Sequence, residues 1–251
     1  MAPWPAFVAA GCLIGILTGL FGVGGSSVAT PLLSVLGVPG LLAVASPLPA
    51  TIPSAILASI PYLARHEARF RTAGWSLLSG VPATVIGALL SEVVGGSLLL
   101  LASGAVLAVL GLRVMRPLSD SAVSKGGARR QDRALLVATM FVVGVFSGLL
   151  ANGGGFLLIP LYLLVFGLGM REATGTSLVV IAVLTVPTLA THWALGHIDW
   201  KVALAFLAGA APTSYFSSRL AHHMRSATIQ KSFGLFLVAS GAAFVAFRLV
   251  H

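Results

Sequence analysis

The sequence predicts an all-α polytopic membrane protein of two inverted repeats, each of about five helical segments with a broken or re-entrant first helix. Composition is the first observation behind this. Of the 251 residues 57% are hydrophobic and 8% charged, and the mean hydropathy is +1.02, where a soluble domain carries about 25% charged residues. The second observation is that apolar runs roughly 20 residues long recur from one end to the other, which suits spanning helices and not the short alternating segments of an outer-membrane barrel. The third is a glycine-rich break that occurs twice, 129 positions apart, inside segments that otherwise read as membrane helices. It runs from Gly15 to Gly25 ahead of Pro31, and again from Gly144 to Gly154 ahead of Pro160. Over positions 15–32, Gly15, Gly19, Leu20, Gly24, Gly25, Pro31 and Leu32 all reappear at that offset. A duplicated, interrupted membrane helix is the best sequence pointer to a transporter's binding site.

Apolar runs between charged or Gly/Pro punctuation place segments at 5–21, 26–37, 41–63, 72–91 and 97–114, then at 134–151, 155–167, 173–194, 202–220 and 229–249. The stretch 116–133 is polar, contains Gly and Ser, and reads as a flexible linker. The chain thus divides into a first membrane repeat at 1–115, a cytoplasmic linker at 116–133 and a second repeat at 134–251, forming one transport domain with no sizeable soluble part. Segments 26–37 and 155–167 extend only about 18–20 Å at 1.5 Å per residue, short of a hydrocarbon core about 30 Å thick. Each is expected to be a half-helix or one arm of a re-entrant hairpin, tolerated at membrane depth where protein or a water-filled cavity surrounds it. The start, Met1-Ala2-Pro3-Trp4-Pro5, lacks a basic n-region and a small-residue cleavage site, so it is expected to open the first helix and not a cleaved signal.

The formal charge of +9 is a topology signal, not a nucleic-acid footprint, because the fifteen Lys and Arg lie between apolar segments. If each repeat crosses the membrane an odd number of times, the second is inverted, and thirteen cations share one side against Lys201 and Arg248 on the other. A parallel arrangement moves Arg171, Arg219, Arg225 and Lys231 across, for a split of 11 to 4. The inverted arrangement fits the positive-inside rule better, and puts both termini outside. Trp4, Trp75, Trp193 and Trp200 fall near segment ends, as an aromatic belt would place them. Cys12 is the only cysteine, which excludes an intramolecular disulfide.

The breaks carry the candidate chemistry. A helix that restarts inside the membrane exposes its first N–H groups without intrahelical acceptors, and these donors, with the positive end of the helix dipole, favour an anion. Candidate substrate ligands are therefore Gly22, Gly24, Gly25, Ser26 and Ser27 in the first copy and Asn152, Gly153, Gly154 and Gly155 in the second. Glycine allows close approach and positive φ; hydroxyl and amide side chains add hydrogen bonds. The competing reading is packing. Gly11, Gly15 and Gly19 form consecutive GxxxG spacings, as do Gly144 and Gly148, and small residues on one helical face need no ligand. The adjacent glycines do not follow a face, and each costs roughly 1 kcal/mol of helix propensity.

A second recurrent patch, Ala45-Ser46-Pro47-Leu48 against Gly175-Thr176-Ser177-Leu178, suggests a locally opened helix in each repeat, with Ser46, Thr176 and Ser177 as further ligands. Pro47, Pro49 and Pro53 kink the first copy and Pro187 the second. No carboxylate lies mid-segment, so no acidic proton relay is offered. His192, near the end of its segment, reads as an interfacial polar residue, and His66, His197, His222, His223 and His251 read as exposed. No catalytic residue, metal site or cofactor is expected. The chain lacks a GxSxG elbow, a Walker A loop, an HExxH helix and a dinucleotide fingerprint, so it does not read as an enzyme.

The duplicated Gly-rich motif, Gly175-Thr176-Ser177-Leu178, and His192-Trp193 with Gly196-His197-Ile198-Asp199-Trp200 resemble the sulfite exporter TauE/SafE family, also called the 4-toluene sulfonate uptake permease family. The resemblance spans nearly the whole chain. It implies a multi-pass carrier of small sulfur-containing oxyanions, such as sulfite, thiosulfate or sulfoacetate, in a bacterial inner membrane. It also implies a lipid bilayer and an anion as partners, no nucleic acid, and room for a homodimer. The family's glycine motif falls on Gly19, Gly22, Gly24 and Gly25 and on Gly148, Asn152, Gly153 and Gly154, and its GTS pattern on Gly175, Thr176 and Ser177. The first repeat departs from that pattern, with Ala45-Ser46-Pro47 in its place. An anion channel of similar architecture and a non-transporting membrane subunit are the alternatives.

Overall fold

The computed structural model describes residues 2–24, 26–90, 109–115, 133–149 and 155–250. They form helices α1 (Trp4–Phe21), α2 (Ser26–Val35), α3 (Gly40–Ala45), α4 (Leu48–Ala64) and α5 (Phe70–Leu90) in the first half. The second half follows with α6 (Arg133–Leu149), α7 (Gly155–Leu164), α8 (Met170–Ala194), α9 (Trp200–Ala221) and α10 (Ser226–Val250). Residues 109–115 are also helical, and Val114 accepts a 2.9 Å hydrogen bond from the Gln230 amide on α10. Three stretches among the described residues are long and apolar enough to cross a membrane: Trp4–Phe21, Gly40–Ala64 and Met170–Ala194. The short segments expected after each break are the ten-residue helices α2 and α7. Large apolar side chains such as Leu13, Ile56, Leu78, Phe216 and Leu235 face outward, as a lipid-facing surface requires.

Small residues decide how the helices pair. On α1, Gly11, Gly15 and Gly19 lie against the backbone carbonyls of Phe206, Ala210 and Ser214 on α9, so close that any side chain would collide with them. Gly209 returns the contact, sitting on Val8 and Cys12 of α1. The other half repeats the arrangement. A methyl on Gly144 of α6 would stand 2.7 Å from the Gly80 carbonyl on α5, and Gly87 of α5 sits against Val145 of α6. Thus α1 of the first half packs on α9 of the second, and α6 of the second on α5 of the first. The packing reading holds for Gly11, Gly15, Gly19 and Gly144, since close backbone approach is what small residues supply inside a membrane.

Between these two pairs α4 and α8 run antiparallel. A methyl on Gly175 near the start of α8 would meet Tyr62 Cβ at 3.0 Å near the end of α4. The third segment of the first half is interrupted as expected, with α3 ending at Ala45 and α4 beginning at Leu48 across the turn at Ser46 and Pro47. Its counterpart is not. Helix α8 passes unbroken through Gly175-Thr176-Ser177, because no proline stands there and Thr174 and Thr176 spend their hydroxyls on their own helix, bonding the carbonyls of Met170 and Glu172 at 2.9 and 2.6 Å. Pro187 is carried within the same helix.

Charge gathers at one end of the bundle. The loop between α4 and α5, the start of α8 and the end of α9 meet there. Arg69 pairs with Glu172, the His222 ring nitrogen Nε2 lies 2.8 Å from Glu67, and Arg171 lies 3.9 Å from the same carboxylate. Arg171 also donates to the carbonyls of His222 and Met224 at 3.2 and 3.0 Å, closing the end of α9. Lys201 stands at the opposite end, beside Asp199, whose carboxylate caps α9 by accepting from the amides of Lys201 and Val202.

Candidate functional site

The first break is held by what surrounds it. Helix α1 ends because Gly22 adopts φ 68°, a left-handed conformation open to glycine at little cost, while its N–H closes the last turn on the Thr18 carbonyl at 2.7 Å. A side chain at Gly22 would also stand 2.9 Å from Thr174 of α8. Three carbonyls at this ending are taken by buried hydroxyls. Tyr62 donates to Gly19 at 3.1 Å, Ser177 donates to Gly22 at 3.0 Å, and Thr18 donates to Val23 at 3.0 Å. These three acceptors of the break are therefore satisfied from within the protein. What a helix start leaves over is its donor side, the first amides of α2.

The second break meets the first. Gly155, which opens α7, lies directly against the Gly24 amide nitrogen, and a side chain there would stand 3.1 Å from the Val23 carbonyl carbon. Among the candidate ligands, Gly22, Gly24, Gly155 and Ser177 are thus gathered into one place by α1, α7 and α8. Ser26 and Ser27 open α2 immediately beyond Gly24. Gly25, Asn152, Gly153 and Gly154 lie outside the described residues.

Ser46 and Thr176 stand away from this junction and join the halves. Each buried hydroxyl accepts a backbone N–H from the opposite half at 2.9 Å: Ser46 from Asp199, and Thr176 from Arg69. The two bonds are counterparts, since one shift of 130 positions carries residue 46 to 176 and residue 69 to 199. They sit at opposite ends of the α4/α8 pair, and α4, with 17 residues, separates them by about 26 Å at 1.5 Å per residue.

Two histidines differ from expectation. His192, near the end of α8, is packed inside the protein and not open to its surroundings. It is 2% exposed, with Nδ1 3.2 Å from Nδ1 of His197, because α8 turns it against neighbouring protein. The His222 side chain, expected to be exposed, is buried, with its ring tilted against Tyr62 at a centroid distance of 4.6 Å and its Nε2 on Glu67. Its apparent exposure followed from its place at the end of a segment, and the loop between α4 and α5 folds over it. Among the described residues no group of three or more His, Cys, Asp or Glu is placed to hold a metal.

Tyr62 and Thr18 were not among the candidates. Thr18 left a signal, since a hydroxyl residue recurs at its position in the second copy as Ser147. Tyr62 left none, as it reaches Gly19 across 43 positions of chain.

A family model described as "Sulfite exporter TauE/SafE" matches residues 7–244. A "Probable membrane transporter protein" of Xylella fastidiosa strain 9a5c is 26% identical over 240 residues, covering 92% of this chain and 91% of that protein. "Probable membrane transporter protein YunE" of Bacillus subtilis strain 168 is 24% identical over 263 residues, covering 95% and 96%. "Probable membrane transporter protein MJ0441" of Methanocaldococcus jannaschii is 33% identical over 112 residues, 42% of each chain. No solved structure matches the chain.

Proposed function

Because the chain belongs to the sulfite exporter TauE/SafE family, we propose that this multi-pass membrane protein carries small sulfur-containing oxyanions across a bacterial inner membrane by alternating access. The substrate class is sulfite, thiosulfate or a small sulfonate such as sulfoacetate. The single observation that carries the anion reading is the meeting of the two breaks at Gly24 and Gly155 with the carbonyls of Gly19, Gly22 and Val23 already occupied by hydroxyls. With these three acceptors spent internally, the amides of the junction are the groups offered to a ligand, and converging helix starts favour negative charge. The donors are the backbone N–H groups at Gly24, Gly25, Ser26 and Ser27 and at Asn152, Gly153, Gly154 and Gly155, with the hydroxyls and the Asn152 amide beside them. Neutral donors suit a carrier, which must release its ligand, whereas an empty site built on buried Arg would be expensive.

The inverted relation of the halves is part of the same reading. It is supported by the exchange of partners between halves, α1 on α9 and α6 on α5, and by the paired bonds at Ser46 and Thr176, since a two-fold relation returns every contact in reciprocal form. It is supported too by Arg171 standing at the same end as Arg65, Arg69 and Arg71, next to Glu67; the parallel arrangement would put Arg171 on the other side.

A thermal-shift panel of sulfite, thiosulfate, sulfoacetate, sulfate, phosphate and chloride on the purified protein tests the substrate class. A ligand that binds only the folded state at 100 times its Kd stabilises by about 2.7 kcal/mol. A rise in unfolding temperature with the sulfur oxyanions, larger than with chloride, is expected. If no anion shifts the protein at high millimolar concentration, the reading fails.

A further inference from the structure

The two reciprocal hydrogen bonds stand at the roots of moving parts, and not at arbitrary points of contact. Arg69, whose amide reaches Thr176, immediately precedes α5, and Asp199, whose amide reaches Ser46, immediately precedes α9. Helices α5 and α9 are the partners of α6 and α1, the two helices that lead into the breaks, and each pair is closed along its length by glycines set against backbone. Each pair, α1 with α9 and α5 with α6, is therefore stiff within itself and contains one member from each half. At its root each is tied to the other half by one of these hydroxyls; away from the Asp199 end the α1/α9 pair is also bonded to α4 and α8 through Tyr62 to Gly19, Ser177 to Gly22 and Ser214 to Ser54.

The two ties are unequal. Around the Thr176–Arg69 bond the halves are also joined by the Arg69–Glu172 pair, by His222 Nε2 on Glu67 at 2.8 Å and by Arg171 at 3.9 Å from Glu67. Around the Ser46–Asp199 bond the polar neighbours stay within the second half. Asp199 caps its own helix, and His192 meets His197. Among the described residues no ion pair joins the halves at that end.

We propose that Ser46–Asp199 and Thr176–Arg69 are the two latches of the transport cycle, each closing the molecule at its own face, and that the ion pairs around Thr176 make that latch the tighter one. This rests on the alternating-access reading above. Breaking Ser46–Asp199 frees the root of α9, so that the Asp199 end of the α1/α9 pair can swing out while Tyr62, Ser177 and Ser214 keep the rest of the pair attached, uncovering the first break from the Asp199 face. Breaking Thr176–Arg69 frees the root of α5 and the α5/α6 pair, uncovering the junction from the Arg69 face. The resting protein is biased toward opening at the Asp199 face, because less holds it shut.

The test uses full-length protein with Cys12→Ala, so that the reporter Ser27→Cys at the start of α2 carries the sole thiol, labelled by a membrane-impermeant maleimide in right-side-out and in inverted vesicles. Ser46→Ala is expected to raise the labelling rate several-fold from the Asp199 face only. Thr176→Val is expected to raise it from the Arg69 face only. Glu172→Gln, which leaves both hydroxyls in place and alters a half-exposed pair, is expected to act in the direction of Thr176→Val and so serves where that variant folds poorly. Acceleration from the same face by Ser46→Ala and by Thr176→Val or Glu172→Gln, unchanged rates in folded variants, or no labelling from either face overturns the latches. The thermal-shift panel above, run on the same variants, separates the two claims, because sulfite and thiosulfate themselves add to maleimide and would slow labelling without binding. Opposite labelling shifts by the variants with no anion raising the unfolding temperature leave the latches standing and remove the transport reading, whereas stabilisation by the sulfur oxyanions with no opposite shifts does the reverse.

Discussion

Gly22 answers two demands at once, a φ of 68° and a surface 2.9 Å from Thr174. Left-handed backbone costs an L-residue roughly 1–2 kcal/mol, and the close neighbour adds to it. Gly22→Ala should therefore lower stability by about 2 kcal/mol or more, read as a reduced unfolding temperature in detergent; an unchanged midpoint would show that α1 ends for another reason. Ser177 tests the neighbouring contact. Ser177→Ala leaves the buried Gly22 carbonyl without its 3.0 Å donor, a loss of about 1–3 kcal/mol, and the freed carbonyl faces the proposed anion site. Weaker stabilisation by sulfite than in wild type, beyond the change in the apo midpoint, is the expected result. Tyr62→Phe probes the same logic at Gly19 from the α4 side. These carbonyl caps were only partly readable from the chain. Thr18 and Ser177 lie in recurrent motifs, but a tyrosine that caps a helix in another segment is invisible to local pattern.

At the scale of helices, glycines of the same type have opposite meanings. Gly15 in α1 lies against the Ala210 carbonyl of α9, while Gly74 near the start of α5 has nothing within 4 Å of where a side chain would begin. Gly15→Leu is expected to abolish the α1/α9 pair and with it membrane expression. Gly74→Ala is expected to be tolerated or to stabilise by about 0.5–1 kcal/mol, the difference in helix propensity. Comparing the two by expression level and by elution as a single species in detergent checks the assignment. The helices themselves were legible, since apolar length and Gly/Pro punctuation are local, and each of the ten segments read from the sequence has a helical counterpart among the described residues. The expected opening at Gly175-Thr176-Ser177 was not observed, because small residues and hydroxyls alone do not break a helix whose i−4 carbonyls they can reach.

At the scale of the whole molecule, charge and connectivity agree. The contacts of Arg69, Arg171 and His222 bring the loop between α4 and α5 to the same end as the start of α8 and the end of α9, so the cations of both halves gather on one face. On the inverted reading proposed above, with this face held in the cytoplasm by the positive-inside rule, the Asp199 face and both termini are expected outside. A tag fused after His251 should be reached by a membrane-impermeant probe in intact spheroplasts and not from the lumen-sealed inverted side. A cytoplasmic tag would sink the inverted arrangement while leaving the helix assignments untouched.

By itself the sequence determined the membrane class, the approximate places of the described helical segments and the first interruption, because hydropathy, chain-breaking residues and spacing are properties of neighbouring positions. Only the tertiary structure decided that the breaks meet at Gly24 and Gly155, that Ser46 and Thr176 hold the opposite half, and that His192 and His222 are buried. The reason is physical. A hydroxyl or imidazole has no fixed partner in the chain around it, and each of these found its acceptor, its donor or its cover in a segment that the membrane fold brings alongside.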